Sequence, residues 1–198
     1  MTITLYYAPN TRAVRVAFLL EELGVSYAKH VFDLDGGEHK HPTYLRLHPH
    51  GLVPALQDGE TVIFETAAIC LYLADRFPEK MLAPPPASPQ RAAYYQWIVY
   101  SVATLEPILS DIWLQLKCPR EQRDSSVLAQ ANQRFAAVAA VLSGALVSPY
   151  LLGDRFSAAD VLVGAMLVWA RSMELLGAHP KLAAYAARIG ARPAFGRA

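Results

Sequence analysis

Cysteine is almost missing from this chain of 198 residues: only Cys70 and Cys118 occur. Two cysteines so far apart make no disulfide framework of the kind that staples small secreted domains. Cys70 falls inside the helical pattern Ile69-Cys70-Leu71-Tyr72-Leu73 and Cys118 stands just before Pro119; neither has the basic or helix-start surroundings that activate a thiol. Surplus charge is missing too. With 18 Lys+Arg against 17 Asp+Glu the net charge is +1, which argues against the basic footprint of a nucleic-acid binder and against an electrostatic hold on a membrane. No apolar run is long: Val161 to Ala170, bracketed by Asp160 and Arg171, is about half the length that spans a bilayer. Met1 leads into a strand pattern instead of a charged and then apolar leader, so a soluble, cytoplasmic protein is expected. His39, His41, His48 and His50 crowd together, but Pro42, Pro49 and Gly51 interleave them and no cysteine or helical histidine pair joins them. No metal is expected.

What the chain does have is apolar bulk and clear punctuation. An apolar content of 54% against 18% charged residues fills one large core or two smaller ones. Thr2 to Tyr7 is a β-rich run, and Ala8-Pro9-Asn10-Thr11 is a loop with a helix-cap signal. From Arg12 onward Val16, Leu19, Leu20 and Leu23 form an i, i+3, i+4, i+7 stripe that Gly24 stops. Tyr27 to Phe32 reads as a second strand, making a β-α-β unit with two parallel strands. Gly36 to His50 is irregular apart from a short helix expected around Thr43 to Leu47. Ala55 to Gln57 and Thr61 to Phe64 pair around Asp58-Gly59, a two-residue hairpin signal. Glu65 to Phe77 is a helix that Pro78 ends. This element order is that of a thioredoxin-like α/β domain.

The domain boundary is written in proline. Ala83-Pro84-Pro85-Pro86-Ala87-Ser88-Pro89 supports neither a helix interior nor a central strand. Residues 81–89 are therefore read as a linker between a thioredoxin-like domain at 1–80 and an all-α domain at 90–198. Ser88 and Pro89 supply N-cap and N1 for a long helix toward Lys117, with a kink expected at Pro107. A second long helix covers roughly Arg123 to Leu146. In Phe156-Ser157-Ala158-Ala159-Asp160-Val161, Ser157 and Asp160 form a capping box and Phe156 staples onto Val161. That is a folding device.

Chemistry concentrates in two stretches, Leu52-Val53-Pro54-Ala55-Leu56 and Glu65-Thr66-Ala67-Ala68-Ile69. Pro54 breaks the first just before it can pair as a strand, so the amide and carbonyl of Val53 are left for a ligand backbone. An acid and a hydroxyl then open a helix, where unpaired backbone amides attract an anion. The pair suits something peptide-like with charged ends.

Four stretches in order resemble motifs of the soluble glutathione transferases, bacterial-type, with a serine/threonine-type active-site loop. They are Leu5-Tyr6-Tyr7-Ala8-Pro9-Asn10-Thr11 leading into Arg15 to Gly24; His48-Pro49-His50-Gly51-Leu52-Val53-Pro54-Ala55-Leu56; Glu65-Thr66-Ala67-Ala68-Ile69; and Phe156-Ser157-Ala158-Ala159-Asp160. Arg192-Pro193-Ala194-Phe195 resembles the family's C-terminal ending. The resemblance covers the whole chain and implies a thioredoxin-like domain followed by an all-helical one. It also implies glutathione as co-substrate. Pro54 would be cis, with Leu52 and Val53 along the ligand backbone. Glu65 would take the γ-glutamyl ammonium and Thr66 its α-carboxylate, while His39 matches the histidine that meets the glycyl carboxylate in insect-type delta members. Thr11 stands where serine-type members present their catalytic hydroxyl, although it can equally cap the helix. Tyr7, Tyr6 and Asn10 are the second choices for the thiol. The chain departs from the family pattern in His48-Pro49, where asparagine-proline is usual, and in apolar Leu52 ahead of the valine.

By the same resemblance the partner is a small hydrophobic electrophile, lodged near Tyr100, Thr104 and Trp113, and the protein is a homodimer. The expected function is glutathione transfer, with the thiolate stabilised for attack. The alternatives are a noncatalytic regulatory protein on the same scaffold and a glutathione-dependent isomerase or dehalogenase.

Overall fold

Strand β1 (Ile3–Tyr7) buries Ile3, Leu5 and Tyr7 and leaves Thr4 and Tyr6 half-buried, the period-two pattern of a sheet whose two faces differ. Helix α1 (Ala13–Leu23) buries Val16, Leu19, Leu20 and Leu23 and is closed by Gly24 at φ 63°, whose amide donates to the Leu20 carbonyl. Each such aliphatic side chain contributes roughly 1.5–3 kcal/mol by leaving water. Strand β2 (Tyr27–Val31) runs parallel to β1 with Tyr7 opposite Val31. After a 3-10 turn at Glu38–Lys40 comes helix α2 (Pro42–Leu45). It starts earlier than the periodicity predicts because Pro42 takes the first helical position and the His41 side chain accepts from the Thr43 amide. Strand β3 (Ala55–Asp58) is antiparallel to β1, and β4 (Thr61–Phe64) is antiparallel to β3. The sheet order is β2-β1-β3-β4, and helix α3 (Thr66–Arg76) follows. The hairpin turn falls on Gly59-Glu60, one residue later than the Asp58-Gly59 signal suggests, since Asp58 pairs with Thr61. Asp58 stays in the strand with its carboxylate held by Tyr72 (2.9 Å) and Arg76 (3.5 Å) of α3.

The computed structural model describes residues 2–198 and groups them into two units, one that runs to Ala83 and takes in Pro193–Ala198, and one of Pro84–Arg192. In the second unit, helix α4 (Gln90–Tyr100) runs through a π-helical turn at Ser101–Leu105 into α5 (Glu106–Lys117). The irregularity expected at Pro107 thus lies just before it. A proline ring presses on the carbonyl four residues back, and a widened turn there relieves the crowding. Helix α6 (Ser125–Ala145) starts on Asp124, which accepts from the Ser126 and Val127 amides at 2.9 and 3.2 Å. Helices α7 (Ala158–Ser172) and α8 (Pro180–Gly190) pack closely at Gly164, where a Cβ would stand 2.6 Å from the Ile189 side chain. Helix α9 (Pro193–Arg197) belongs with the α/β unit, not with the helical residues 90–198 as expected. There Phe195 meets Phe18 edge-on at 5.2 Å and Arg197 pairs with Glu21 at 2.7 Å. Among the described residues no helix is long and apolar enough to cross a membrane.

The Ser157–Asp160 capping box is present, and it has gained partners that the sequence spacing does not reveal. The fully buried Asp160 carboxylate accepts from the Ser157 amide (2.9 Å), the Ser157 hydroxyl (2.8 Å), the Leu151 amide (2.9 Å) and the Tyr185 hydroxyl (2.8 Å). Burial raises its pKa and these donors pull it back. Phe156 sits against the Tyr150 ring at 5.4 Å with the Arg192 guanidinium over its face at 3.7 Å. Removing the acid leaves several buried donors without an acceptor. Asp160→Ala is therefore expected to cost about 3–5 kcal/mol and Tyr185→Phe about 1–2 kcal/mol in urea denaturation; a loss below about 1 kcal/mol for Asp160→Ala would show the network to be dispensable.

Candidate functional site

The sheet register gathers the segments that the sequence singles out as ligand-binding candidates. Tyr7, the last residue of β1, stands opposite Val31, the last of β2; Ala55, the first of β3, pairs with Tyr6; and Phe64, the last of β4, pairs with Ala55. The Pro9–Thr11 loop, the segment after β2, Val53-Pro54 and Glu65-Thr66 therefore all leave the same edge of the sheet. Loops carried on such a rigid edge are where binding groups are usually held.

The floor of this edge is a loop fixed by side chains. The Val53-Pro54 peptide is cis, and Val53 lies outside the ladder, which starts at Ala55. The Tyr44 hydroxyl donates to the Leu52 carbonyl, and the Lys40 ammonium donates to the carbonyls of His50 and Gly51, both at 2.9 Å. Leu52 is thus held through its backbone carbonyl, and the residue is 53% exposed. Below the loop Phe32, Tyr44 and Ala55 form a buried cluster, with Tyr6, Leu34, Leu47 and Val53 packed against it. Gly51, at φ 55°, brings two strands of the loop together: a Cβ there would lie 2.6 Å from the His39 carbonyl oxygen. His39 is half-buried and its Nδ1 has no hydrogen-bond partner. Lys40 and Tyr44 escaped the sequence reading, having no signal beyond their place beside the histidine-rich stretch.

At the far end Glu65 is exposed and takes φ 76°, while Thr66, the first residue of α3, is 4% exposed. Positive φ at a non-glycine residue costs of order 1–3 kcal/mol and persists where the surroundings over-determine it. Here Glu65 still accepts the first α3 bond, from the Ile69 amide at 2.9 Å. Nothing in the sequence forecasts that backbone.

Of the candidates for the thiol, the three hydroxyls all have partners. The Thr11 hydroxyl donates to the Ala8 carbonyl at 2.6 Å and accepts from the Ala13 amide at 3.2 Å, which is a helix-cap arrangement. The Tyr7 hydroxyl donates to the Ala198 backbone oxygen at 3.1 Å, and the Tyr6 hydroxyl to Gln57 at 3.0 Å. Burial raises the pKa of both phenols. Asn10 is exposed at φ 58° on the tip of the loop. Neither cysteine belongs to this edge: Cys70 is fully buried within α3, and burial pushes its thiol up to about 12.

In the helical unit, Tyr100 and Thr104 are half-buried and lie one turn apart, in and beside the π-helical turn, so they share a face. Burial raises the Tyr100 phenol, and its ring meets Trp97 at 5.3 Å. Trp113 sits about two and a half turns beyond Thr104 and so on the other side of the helix. It faces Trp169 at 6.3 Å with Lys117 over its ring at 4.4 Å. The three do not form one cluster. Among the described residues no group of three or more His, Cys, Asp or Glu is placed to hold a metal ion.

Comparison with known proteins fits this geometry. Residues 1–75 match the glutathione S-transferase N-terminal domain and residues 125–188 the glutathione S-transferase C-terminal domain. Glutathione S-transferase 3 of Zea mays is 33% identical over 196 residues, covering 95% of this chain and 87% of that protein. The disulfide-bond oxidoreductase YfcG of Escherichia coli strain K12 is 30% identical, with 99% and 94% covered. Among solved structures, the ternary complex of BphK, a bacterial GST, superposes with a TM-score of 0.85 at 28% identity, covering 98% of this chain and 96% of that one.

The close approach at Gly51 is testable without any ligand. Gly51→Ala adds a Cβ against backbone in a left-handed conformation and is expected to cost about 2 kcal/mol or more. Gly37→Ala, at φ 75° with nothing within 4 Å of its Cβ, should cost only about 1 kcal/mol. Equal losses in chemical denaturation would show that the loop yields.

Proposed function

The chain belongs to the glutathione S-transferase family, and we propose that it binds glutathione along this sheet edge, stabilises the thiolate and delivers it to a small hydrophobic electrophile. The observation that carries the reading is the register that brings Val53-Pro54 and Glu65-Thr66 to one edge. Val53 offers an unpaired strand segment to the cysteinyl backbone of the ligand. The Glu65 carboxylate suits the γ-glutamyl ammonium, and Thr66 with the α3 N-terminus suits the α-carboxylate. His39, beside the Lys40 ammonium, suits the glycyl carboxylate. The protein acts as a cytoplasmic homodimer, and Tyr100 and Thr104 are the residues offered to the electrophile.

The thiol is the demanding step. A free cysteine thiol titrates near 8.5, and lowering it by two units takes about 2.7 kcal/mol. The Thr11 hydroxyl supplies part of this by turning about its Cβ–Oγ bond: the oxygen keeps the Ala13 amide, and the proton leaves the Ala8 carbonyl for the sulfur. The α1 N-terminus adds its positive end, and the exposed Asn10 amide is the second donor. With no cysteine in the loop, the ligand's own thiolate is the nucleophile. The similarity to a disulfide-bond oxidoreductase supports a second reading, in which that thiolate attacks a small disulfide, forms a mixed disulfide and releases the other sulfur as a thiolate.

An assay panel of aryl halides, epoxides, peroxides and small disulfides separates these readings; binding of glutathione without turnover of any member would leave the noncatalytic alternative. Thr11→Ala is expected to raise the pKa of bound glutathione by about 1–2 units and to lower kcat/KM at pH 7 roughly 10–100-fold. Thr11→Ser should recover most of that. Thiolate absorbance against pH makes the measurement, and an unmoved pKa in Thr11→Ala assigns the donor elsewhere.

A further inference from the structure

His48 is 4% exposed, and its Nδ1 is buried with no hydrogen-bond partner. Its backbone is fixed on both sides: the amide donates to the Tyr44 carbonyl (2.9 Å) and the carbonyl accepts from the Gly51 amide (2.7 Å). Its ring packs on Phe64 at 4.8 Å and 33°, with Tyr44 at 6.2 Å and His50 at 6.1 Å. Phe64 is the residue immediately before Glu65. The imidazole therefore reaches from the segment that carries His39 and Lys40 to the turn that carries Glu65 and Thr66. An asparagine, usual at this place in the family pattern, neither stacks nor titrates near neutrality.

We propose that His48 is a positioning residue for glutathione: as a neutral imidazole wedged on Phe64 it holds the Glu65 turn against the α2 segment, and a proton on it weakens ligand binding. The proposal rests on the glutathione reading above. The charged and titratable groups around the ring are His50 in its own loop, Lys40 in the 3-10 turn and Glu65 before α3, while Tyr44 of α2 adds a neutral ring. Burial first, then His50, and least of all Lys40 push the imidazole below its ordinary value, and among these side chains Glu65 alone favours the charged form. The ring is buried against apolar Phe64 and its Nδ1 has no acceptor, so a proton on it is accommodated by unseating the ring, and with it the Glu65 turn that the ligand needs. The proton on His48 and the ligand then compete, and the competition is reciprocal. The ligand's ammonium at Glu65 and its α-carboxylate at Thr66 sit on one carbon and largely offset each other at His48, so the seating of the ring sets the sign.

The sign follows directly. Binding lowers the His48 pKa further, so affinity is full above the ligand-free value, which already lies below the ordinary imidazole range, and falls on acidification through it, by at most tenfold per pH unit. Glutathione keeps its carboxylates ionised and its ammonium protonated across that range.

Calorimetry of glutathione binding to the full chain from pH 7.5 to 5.0 tests this. The native protein should weaken about 3–10-fold, His48→Asn and His48→Gln should give a flat profile, and His50→Gln should keep the slope. Equal slopes in the native protein and both His48 variants overturn the positioning role. NMR titration of the native protein covers the case of variants that fail to fold: saturating glutathione should move the His48 midpoint to lower pH, and an unmoved midpoint overturns the proposal. No glutathione binding by the native protein at pH 7.5 overturns the binding reading, and the role of His48 with it.

Discussion

The register of β3 between its two neighbours is the constraint on which the site depends. Leu56 stands opposite both Leu5 and Ile63, and Ala55 opposite both Tyr6 and Phe64. A slip of one residue would turn Leu56 out and Gln57 in. It would also move Pro54 or Glu65 by about 3.3 Å along the strand direction, more than a hydrogen bond can absorb. Polar side chains fix the register from outside the ladder. Asp58, 8% exposed, is held by Tyr72 and Arg76 at one end of the strand, and Gln57 accepts from Tyr6 in its middle. Because the ligand-directed residues are immediate sequence neighbours of paired ones, whatever fixes the pairing also fixes the site.

Much of this was legible in the sequence, and for stateable reasons. The α1 stripe, the Asp58–Gly59 region and the proline run are local signals, and local signals survive folding. The Ser157–Asp160 box was legible as a cap, but its Leu151 and Tyr185 partners depend on where α8 lies, which no spacing reveals. The hairpin turn moved by one residue for a similar reason: the long-range claim of α3 on Asp58 outweighs the turn preference of Asp-Gly. Glu65 was legible as an acid at a helix start, while its left-handed backbone was not. Charge and hydroxyl are written in the residue type; the torsion is imposed by the strand on one side and the helix on the other.

The helical unit shows the same division. Its long first helix was legible from Ser88-Pro89, and Pro107 announced an irregularity. What followed was a π-helical turn, which changes the angular bookkeeping after residue 101. Tyr100 and Thr104 end on one face and Trp113 on another, so candidates grouped by type alone separate once the helix is drawn.

The loop before the cis proline shows how an irregular segment can be held rigid. Backbone carbonyls away from secondary structure need partners, and three consecutive ones, of His50, Gly51 and Leu52, are taken by Lys40 and Tyr44. These donors come from the 3-10 turn and from α2, and Tyr44 is itself 3% exposed in the cluster below. Val53 is the next residue in the run, and it lies just outside the sheet. The loop thus satisfies itself residue by residue up to the point where an incoming strand would begin. A preorganised edge of this kind loses little freedom when a peptide pairs with it. On the proposed reading, the polar residues that support the loop are therefore as necessary to recognition as those that would touch the ligand.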